Sequence, residues 1–284
     1  MRLKEVKILN MIDLHTHSTY SDGTDTPEQL IEKAASKGIT TIALCDHDTV
    51  AGIQQFIDYA AKFHIHAISG IEISAEWISG ECHILGLGID HTSPEVKSYL
   101  SELKESRDER NIRICQKLNT LGISISIEEV AAEAGGDIIA RPHIANVLVK
   151  KGICSSIDDA FTKYLARGAA AHVKRLRLSP LDAISFLKNN NASVFLAHPS
   201  KLHLPVDEFR KFIQTLIPIG LDGLEVFTPY STDDDIEQYL TLCKEFGMKI
   251  SGGSDYHGSN KQDHYLGYYR TDKAIPVEYI NFIK

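Results

Sequence analysis

Short apolar runs and amphipathic stretches alternate along the first ninety residues. Met11–His17 has the length and apolar content of a strand. Thr26-Pro27-Glu28-Gln29 follows, with a capping threonine, a proline at the first helical position and a glutamine placed to complete a capping box. That start predicts a helix running to Lys37 and ending at Gly38. Thr41–Cys45 predicts a buried strand, Val50–Phe63 a second helix, and Ala67–Ser74 and His83–Ile89 two further strands. Such a rhythm implies a mostly parallel sheet or barrel.

The pattern changes after residue 92. Leu100, Leu103, Ile112, Ile114, Leu118 and Leu121 recur at helical spacing, and Ile127–Ala134, Ile144–Lys150 and Ile157–Leu165 predict shorter helices. Strand character returns later. Pro180–Lys188 predicts a helix, Ser193–Ala197 a strand, Val206–Ile217 a helix, Leu221–Phe227 a strand, Asp233–Phe246 a helix and Lys249–Ser251 a last strand. The reading is an α/β chain, a distorted barrel of about seven βα units with an all-α insertion. The barrel would occupy 11–92 and 172–284 and the insertion 93–171. Chemistry is then expected at the C-terminal ends of the strands.

Composition narrows the class. With 284 residues, 43% hydrophobic and 24% charged, the chain is long enough for a full core without disulfide staples. Its five cysteines are scattered, with no CxxC pair, which predicts buried thiols in a reducing cytoplasm. No apolar run approaches the roughly 20 residues of a membrane-spanning helix, so no membrane partner is expected. A net charge of −8 argues against broad binding to duplex nucleic acid. It leaves a phosphorylated substrate open, because bound cations reverse the local field.

The polar residues gather where the apolar runs end. His15 and His17 alternate onto one face of the first strand and can grip one cation, or they can simply pack or face solvent. Asp22 follows in a Ser-Asp-Gly turn. His47 lies between Asp46 and Asp48, whose carboxylates are placed to fix an imidazole tautomer. Glu72 and His83 are embedded in apolar neighbours, where a charged group needs a partner. His198 closes Phe195-Leu196-Ala197, and Asp255 and His257 follow Gly252-Gly253-Ser254. In a barrel these nine positions converge on one mouth as a multinuclear metal site. A His and carboxylate set without cysteine favours Zn, Mn or Fe. His64, His66, His91, His203 and His264 have no ligand-like neighbours, and Trp77 reads as core or pocket wall. Arg141-Pro142-His143 opens a helix in the insertion, where Arg141 and His143 can hold a phosphate or Arg141 can stay solvated. The run His172-Val173-Lys174-Arg175 makes Lys174 a further substrate-binding candidate.

Together, His15-Thr16-His17, Ser21-Asp22-Gly23, Asp46-His47-Asp48, Gly70-Ile71-Glu72, His83, Ala197-His198-Pro199 and Gly253-Ser254-Asp255-Tyr256-His257-Gly258 resemble the PHP family, named for polymerase and histidinol phosphatase. The insertion and Arg141-Pro142-His143-Ile144-Ala145 resemble its stand-alone bacterial branch. That resemblance implies the PHP barrel and two or three divalent ions. It implies hydrolysis of the 3′-phosphate of nucleoside 3′,5′-bisphosphates such as pAp, or 5′-end trimming of short single-stranded RNA. It also implies a ligand partition. His15, His17, Glu72 and Asp255 would hold one ion. Glu72, His83 and His198 would hold a second, and Asp22, His47 and His257 a third. The competing expectations are an amidohydrolase, which opens with the same His-x-His, and a non-catalytic metal-binding regulatory module.

Overall fold

The computed structural model describes residues 11–78, 80–134, 139–174, 177–280 and 282. Seven strands form one sheet in sequence order: β1 (Met11–Thr16), β2 (Ile39–Leu44), β3 (His66–Ser74), β4 (His83–Leu87), β5 (Ser193–Leu196), β6 (Gly223–Phe227) and β7 (Lys249–Gly252). The sheet curls, and just beyond its last strand Tyr256 pairs in parallel with Thr16 of β1. His17 N–H donates to Tyr256 O at 2.9 Å, drawing the two ends of the sheet together at the mouth.

Two strand pairs run against the expected βα repeat. β4 is antiparallel to both β3 and β5, and no helix joins β3 to β4. His83 therefore stands at the start of its strand. Because β4 runs the other way, that start lies beside the C-terminal end of β3, with Ser74 opposite His83 and Glu72 opposite Leu85.

Helices α1 (Pro27–Ser36) and α2 (Ile53–Ala60) cover the first half of the sheet. The predicted capping box is present: Thr26 Oγ1 accepts from Gln29 N–H, and Gln29 Oε1 accepts from Thr26 N–H. The stretch between β4 and β5 is helical, as expected, and begins with one element longer than its neighbours, α3 (Pro94–Thr120). After it come α4 (Ile127–Ala134), α5 (Arg141–Lys150) and α6 (Ile157–Ala160), the last running into a π-helical turn at Phe161–Leu165. Helices α7 (Pro180–Asn189), α8 (Val206–Leu216) and α9 (Asp233–Phe246) cover the second half of the sheet. A hairpin that the hydrophobic pattern did not reveal, β8 (Tyr268–Arg270) and β9 (Lys273–Ala274), follows β7.

Buried apolar side chains fall into two clusters. The larger fills the sheet and its covering helices and includes Val96, Leu100 and Leu103 of α3. The smaller includes Ile114, Cys115 and Leu118 of the same helix, with Val130, Ile144 and Leu148. Helix α3 thus belongs to both. Two residues expected in its apolar stripe, Ile112 and Leu121, are 43% and 50% exposed. Arg107 and Arg110 are buried in the stripe instead, between the two clusters.

Candidate metal centre and active site

Strand β1 delivers Asp13, His15 and, just past its end, His17 to one side, as a period of two requires. Glu72 comes from β3, where it pairs by a bridge with His47 in the loop just beyond β2. His198 ends β5, and Asp255 and His257 follow β7. The close seating of β7 against β1 depends on Gly253. A Cβ there would lie 2.6 Å from His15 N and nearer still to His15 Cβ. His198 and Asp255 adopt positive φ angles of 26° and 48°, a region sparsely used outside glycine and tolerated better by Asp and His.

These residues meet around the Glu72 carboxylate, which is buried. Its Oε2 lies 3.2 Å from His15 Nε2, 3.3 Å from His17 Nε2 and 3.1 Å from His47 Nδ1. Its Oε1 lies 2.8 Å from His83 Nδ1 and 2.9 Å from His198 Nε2, and those two nitrogens are 3.3 Å apart. Asp255 Oδ1 is 3.2 Å from His17 Nε2 and 3.6 Å from His15 Nε2. Asp22 Oδ1 is 3.2 Å from His257 Nε2, and Asp22 Oδ2 is 3.7 Å from His47 Nε2. Three sets of side chains each bring ligand atoms within 4.8 Å of one another: His15, His17, Glu72 and Asp255; His17, Asp22, His47 and His257; and His47, Glu72 and His83. His198 adjoins the last through Glu72.

The donor set fits divalent cations. His15 Nε2, His17 Nε2, His47 Nδ1, Glu72 Oε2, His198 Nδ1 and His257 Nε2 are buried without a hydrogen-bond partner. Ion ligands about 2.0–2.1 Å from a metal stand roughly 2.8–3.4 Å from their neighbours in an octahedral or tetrahedral shell. The separations around Glu72 and Asp255 fall near that spacing. Without such a partner, these buried lone pairs and N–H groups held away from water are costly.

Charge keeps the acids ionised. Burial pushes the Glu72 carboxyl up, but the His47, His83 and His15 imidazoles more than offset it and hold the pKa well below the usual range. Burial likewise opposes Asp22, where His257 and His47 prevail, and Asp255, where Lys261 and His257 prevail. The imidazoles divide: burial takes His47 down to about 3, whereas for His15 and His17 the neighbouring carboxylates overcome burial, holding His15 well up and His17 at about 9.

A second layer orients these ligands, and much of it went unforeseen. His15 Nδ1–H donates to Glu225 Oε1 at 2.9 Å, and Glu225 Oε2 accepts from His198 N–H at 2.8 Å. One buried carboxylate on β6 thereby fixes two candidate ligands. Asp46 and Asp48, expected to brace His47, point elsewhere. Asp46 accepts from Ser18 N–H at 2.8 Å and from the Ser21 hydroxyl at 2.6 Å. Asp48 pairs with Arg107 and accepts from Ser74 N–H at 2.9 Å. Asp13 accepts from Ser254 N–H, Ser254 Oγ–H and Gly267 N–H at 2.9, 2.6 and 2.8 Å. His264 donates from Nδ1 to Asp255 O at 2.9 Å, a supporting role its sequence neighbours did not suggest.

The cluster opens outward. A cavity of about 190 Å³ is lined by Asp22, His47 and His83 together with Arg107, Arg110, Arg141 and Arg177. It shares Arg110, Arg141, Phe161 and Arg177 with a larger cleft of about 520 Å³, whose wall also carries Trp77, Arg167, His172, Lys174, Lys201 and His203. Arg141 therefore faces the mouth. Its guanidinium donates to Leu165 O at 3.2 Å and stands 5.5 Å from the Phe161 ring. Burial pulls its pKa down and the neighbouring Arg177 adds to the effect, two cations pressed together in a closed space. Lys174 lies on the cleft rim, 3.0 Å from Glu76. His143 departs from expectation. It is buried, its Nδ1 accepts from Ala140 N–H at 3.0 Å at the start of α5, and it is not among the residues lining either cavity. Arg175 lies outside the described residues.

A PHP domain model matches residues 13–134, a span holding His15, His17, Asp22, His47, Glu72 and His83. A 5′-3′ exoribonuclease of Haemophilus influenzae is 36% identical over 86% of this chain and 89% of its own. A 3′,5′-nucleoside bisphosphate phosphatase of Chromobacterium violaceum is 30% identical over 94% of this chain and 93% of its own. Two solved structures share the fold at this length. One, described as an amidohydrolase from Chromobacterium violaceum with bound sulfate and no metal, gives a TM-score of 0.81 at 28% identity over 94% of each chain. The other, from Bifidobacterium adolescentis and assigned as a metal-dependent phosphoesterase, gives 0.79 at 29% identity over 92% of each. Taken with the cluster at the barrel mouth, these matches show that the chain belongs to the PHP family and is a phosphoric ester hydrolase.

Proposed function

We propose that the nine residues hold two or three divalent cations (Mn, Zn or Fe) and that the substrate is a small phosphorylated nucleotide or a short single-stranded RNA. The favoured reactions are removal of the 3′-phosphate from nucleoside 3′,5′-bisphosphates and hydrolysis at the 5′ end of RNA. The observation that carries this reading is the set of buried, unpartnered ligand atoms around Glu72, opening directly into an arginine-lined cleft. The relatives named above act on these two classes by their names.

In the proposed partition His15, His17, Glu72 and Asp255 would hold one ion. Glu72, His83 and His198 would hold a second, and Asp22, His47 and His257 a third. Bound cations supply Lewis acidity and lower the pKa of water from about 15.7 to roughly 7, so no strong protein base is needed. The chain's own residues do the rest. Glu225 keeps the proton of His15 on Nδ1, leaving Nε2 free for a ligand. Arg110, Arg141 and Arg177 present guanidiniums beside the cluster, suited to a phosphate that is not cleaved. Lys174 extends the basic wall outward. Trp77 and Phe161 line the same cleft and give it an apolar wall against which a base can pack. Several arginines gathered in one cleft of a chain with net charge −8 suit a small or single-stranded substrate better than a duplex.

We further propose the division suggested by the sequence, barrel 11–92 and 172–284 with a helical insertion over 93–171. The two apolar clusters joined by α3 support it. A cytoplasmic setting is supported by five buried cysteines, all free. Among the described residues no helix is long and apolar enough to cross a membrane.

The test is product analysis with manganese on pAp and on a 5′-phosphorylated oligoribonucleotide. Release of inorganic phosphate from pAp, or of 5′ mononucleotides from RNA, supports the reading. Turnover of neither sinks it. The amidohydrolase reading draws on the description of one structural neighbour, so amide substrates under the same metal belong in that assay. Amide turnover without ester turnover would replace the proposal.

A further inference from the structure

The Asp255 carboxylate faces two ways. Its Oδ1 looks into the imidazoles of His15 and His17. Its Oδ2 accepts hydrogen bonds from Tyr230 OH and from Lys261 Nζ, both at 2.6 Å, and Lys261 also donates to Tyr230 OH at 2.9 Å. Neither Tyr230 nor Lys261 is among the nine candidate ligands. The Tyr230 ring is enclosed by the Lys201 ammonium, 4.2 Å from its centroid, and by edge-on contacts to the rings of His198 and His264 at 5.6 and 5.2 Å. The backbone at Asp255 is held as well, because its carbonyl accepts from the Nδ1–H groups of His257 and His264 at 2.8 and 2.9 Å. The carboxylate has little freedom to turn.

Resting on the metal-site reading above, we infer that Lys261, braced by Tyr230, is a positioning residue that restricts Asp255 to one ligand oxygen and lowers the negative charge of the His15, His17, Glu72 site. A carboxylate with both oxygens free can grip a larger hard cation in bidentate fashion, as calcium-type sites do. With Oδ2 committed, Asp255 offers one atom, which suits small cations with few ligands. The ammonium, one carboxylate away from the cation, also repels it. The pair thus moderates affinity and narrows the choice of metal.

Calorimetric titration of chelator-stripped protein with Mn²⁺ and with Zn²⁺ tests this. Lys261→Met should tighten Mn²⁺ binding at least tenfold, with a smaller gain for Zn²⁺. Lys261→Arg, which keeps the charge and a donor, should stay within about threefold of the parent. Unchanged or weakened Mn²⁺ affinity in Lys261→Met, or an equal gain for both ions, overturns the inference. Should that variant fail to fold, Tyr230→Phe frees one of the two bonds while keeping the ammonium. A Mn²⁺ gain of threefold or more with Zn²⁺ unmoved supports the inference, and no change overturns it. If the unaltered protein binds neither ion, the metal-site reading itself fails. Normal binding by the parent together with unaltered binding by the variants removes only this inference.

Discussion

Single carboxylates decide the state of the site. Glu225 accepts from His15 Nδ1 and from the His198 backbone, so Glu225→Gln keeps the volume while weakening the hold on both. Loss of such a partner costs roughly 10- to 100-fold in metal affinity, and a metal titration of the Gln variant should read a loss in that range. Affinity equal to the parent's would show that His15 is oriented by packing alone. Asp13 does a different job. Burial pushes its pKa up to about 6, while three donors from Ser254 and Gly267 converge on its oxygens and tie the tail of the chain to β1. Asp13→Asn turns one acceptor into a donor facing donors, and should cost about 2–3 kcal/mol in denaturant unfolding. A smaller loss would mean that the tail is held elsewhere. Glu225 was open to the same reasoning that found Glu72, since each is a charged residue inside an apolar strand. Lys261 was not, because its run Ser259-Asn260-Lys261-Gln262-Asp263 looks like any polar loop.

At the scale of elements, α3 explains how the basic mouth is built. Its buried face runs Val96, Leu100, Leu103, Arg107, Arg110, Ile114, Leu118, steps of three and four residues throughout. Arginine replaces apolar residues where the helix passes from one cluster to the other and crosses the mouth. Apolar periodicity passes over those two positions and points to Ile112 instead, so Arg107 and Arg110 were not legible as part of the mouth. The capping boxes and caps at Thr26, Ser93 and Ser179 act over three residues and were or could be read directly. The antiparallel course of β4 was not legible, since alternation of side chains carries no direction. Removing a guanidinium that holds a phosphate costs about 1.5–3 kcal/mol. Arg141→Ala should therefore raise KM for a nucleoside bisphosphate roughly 10- to 100-fold and leave KM for a simple aryl phosphate nearly unchanged. Equal effects on both substrates would remove Arg141 from the substrate site.

For the molecule as a whole, the site is the place where distant parts of the chain are tied together. Its residues run from His15 to His257 and come from six of the seven sheet strands or the loops just beyond them, with β6 supplying Glu225 behind. Cations bound there stabilise only the folded state, by about 4 kcal/mol at a free concentration a thousandfold above Kd. Stripping the metal should accordingly lower Tm, and adding Mn²⁺ should restore it. An unchanged Tm would mean that the mouth stays assembled without ions. The convergence of far-apart polar residues on one rim was foreseeable from their positions at strand ends, because a barrel brings those ends together. The most direct measurement is a crystal structure of metal-loaded protein with anomalous scattering recorded at the absorption edges of Mn, Fe and Zn. The account predicts two or three peaks inside the cluster, with Glu72 between two of them and ligand distances of about 2.0–2.3 Å. Peaks lying elsewhere, or none within reach of His15, His17 and Glu72, would contradict it.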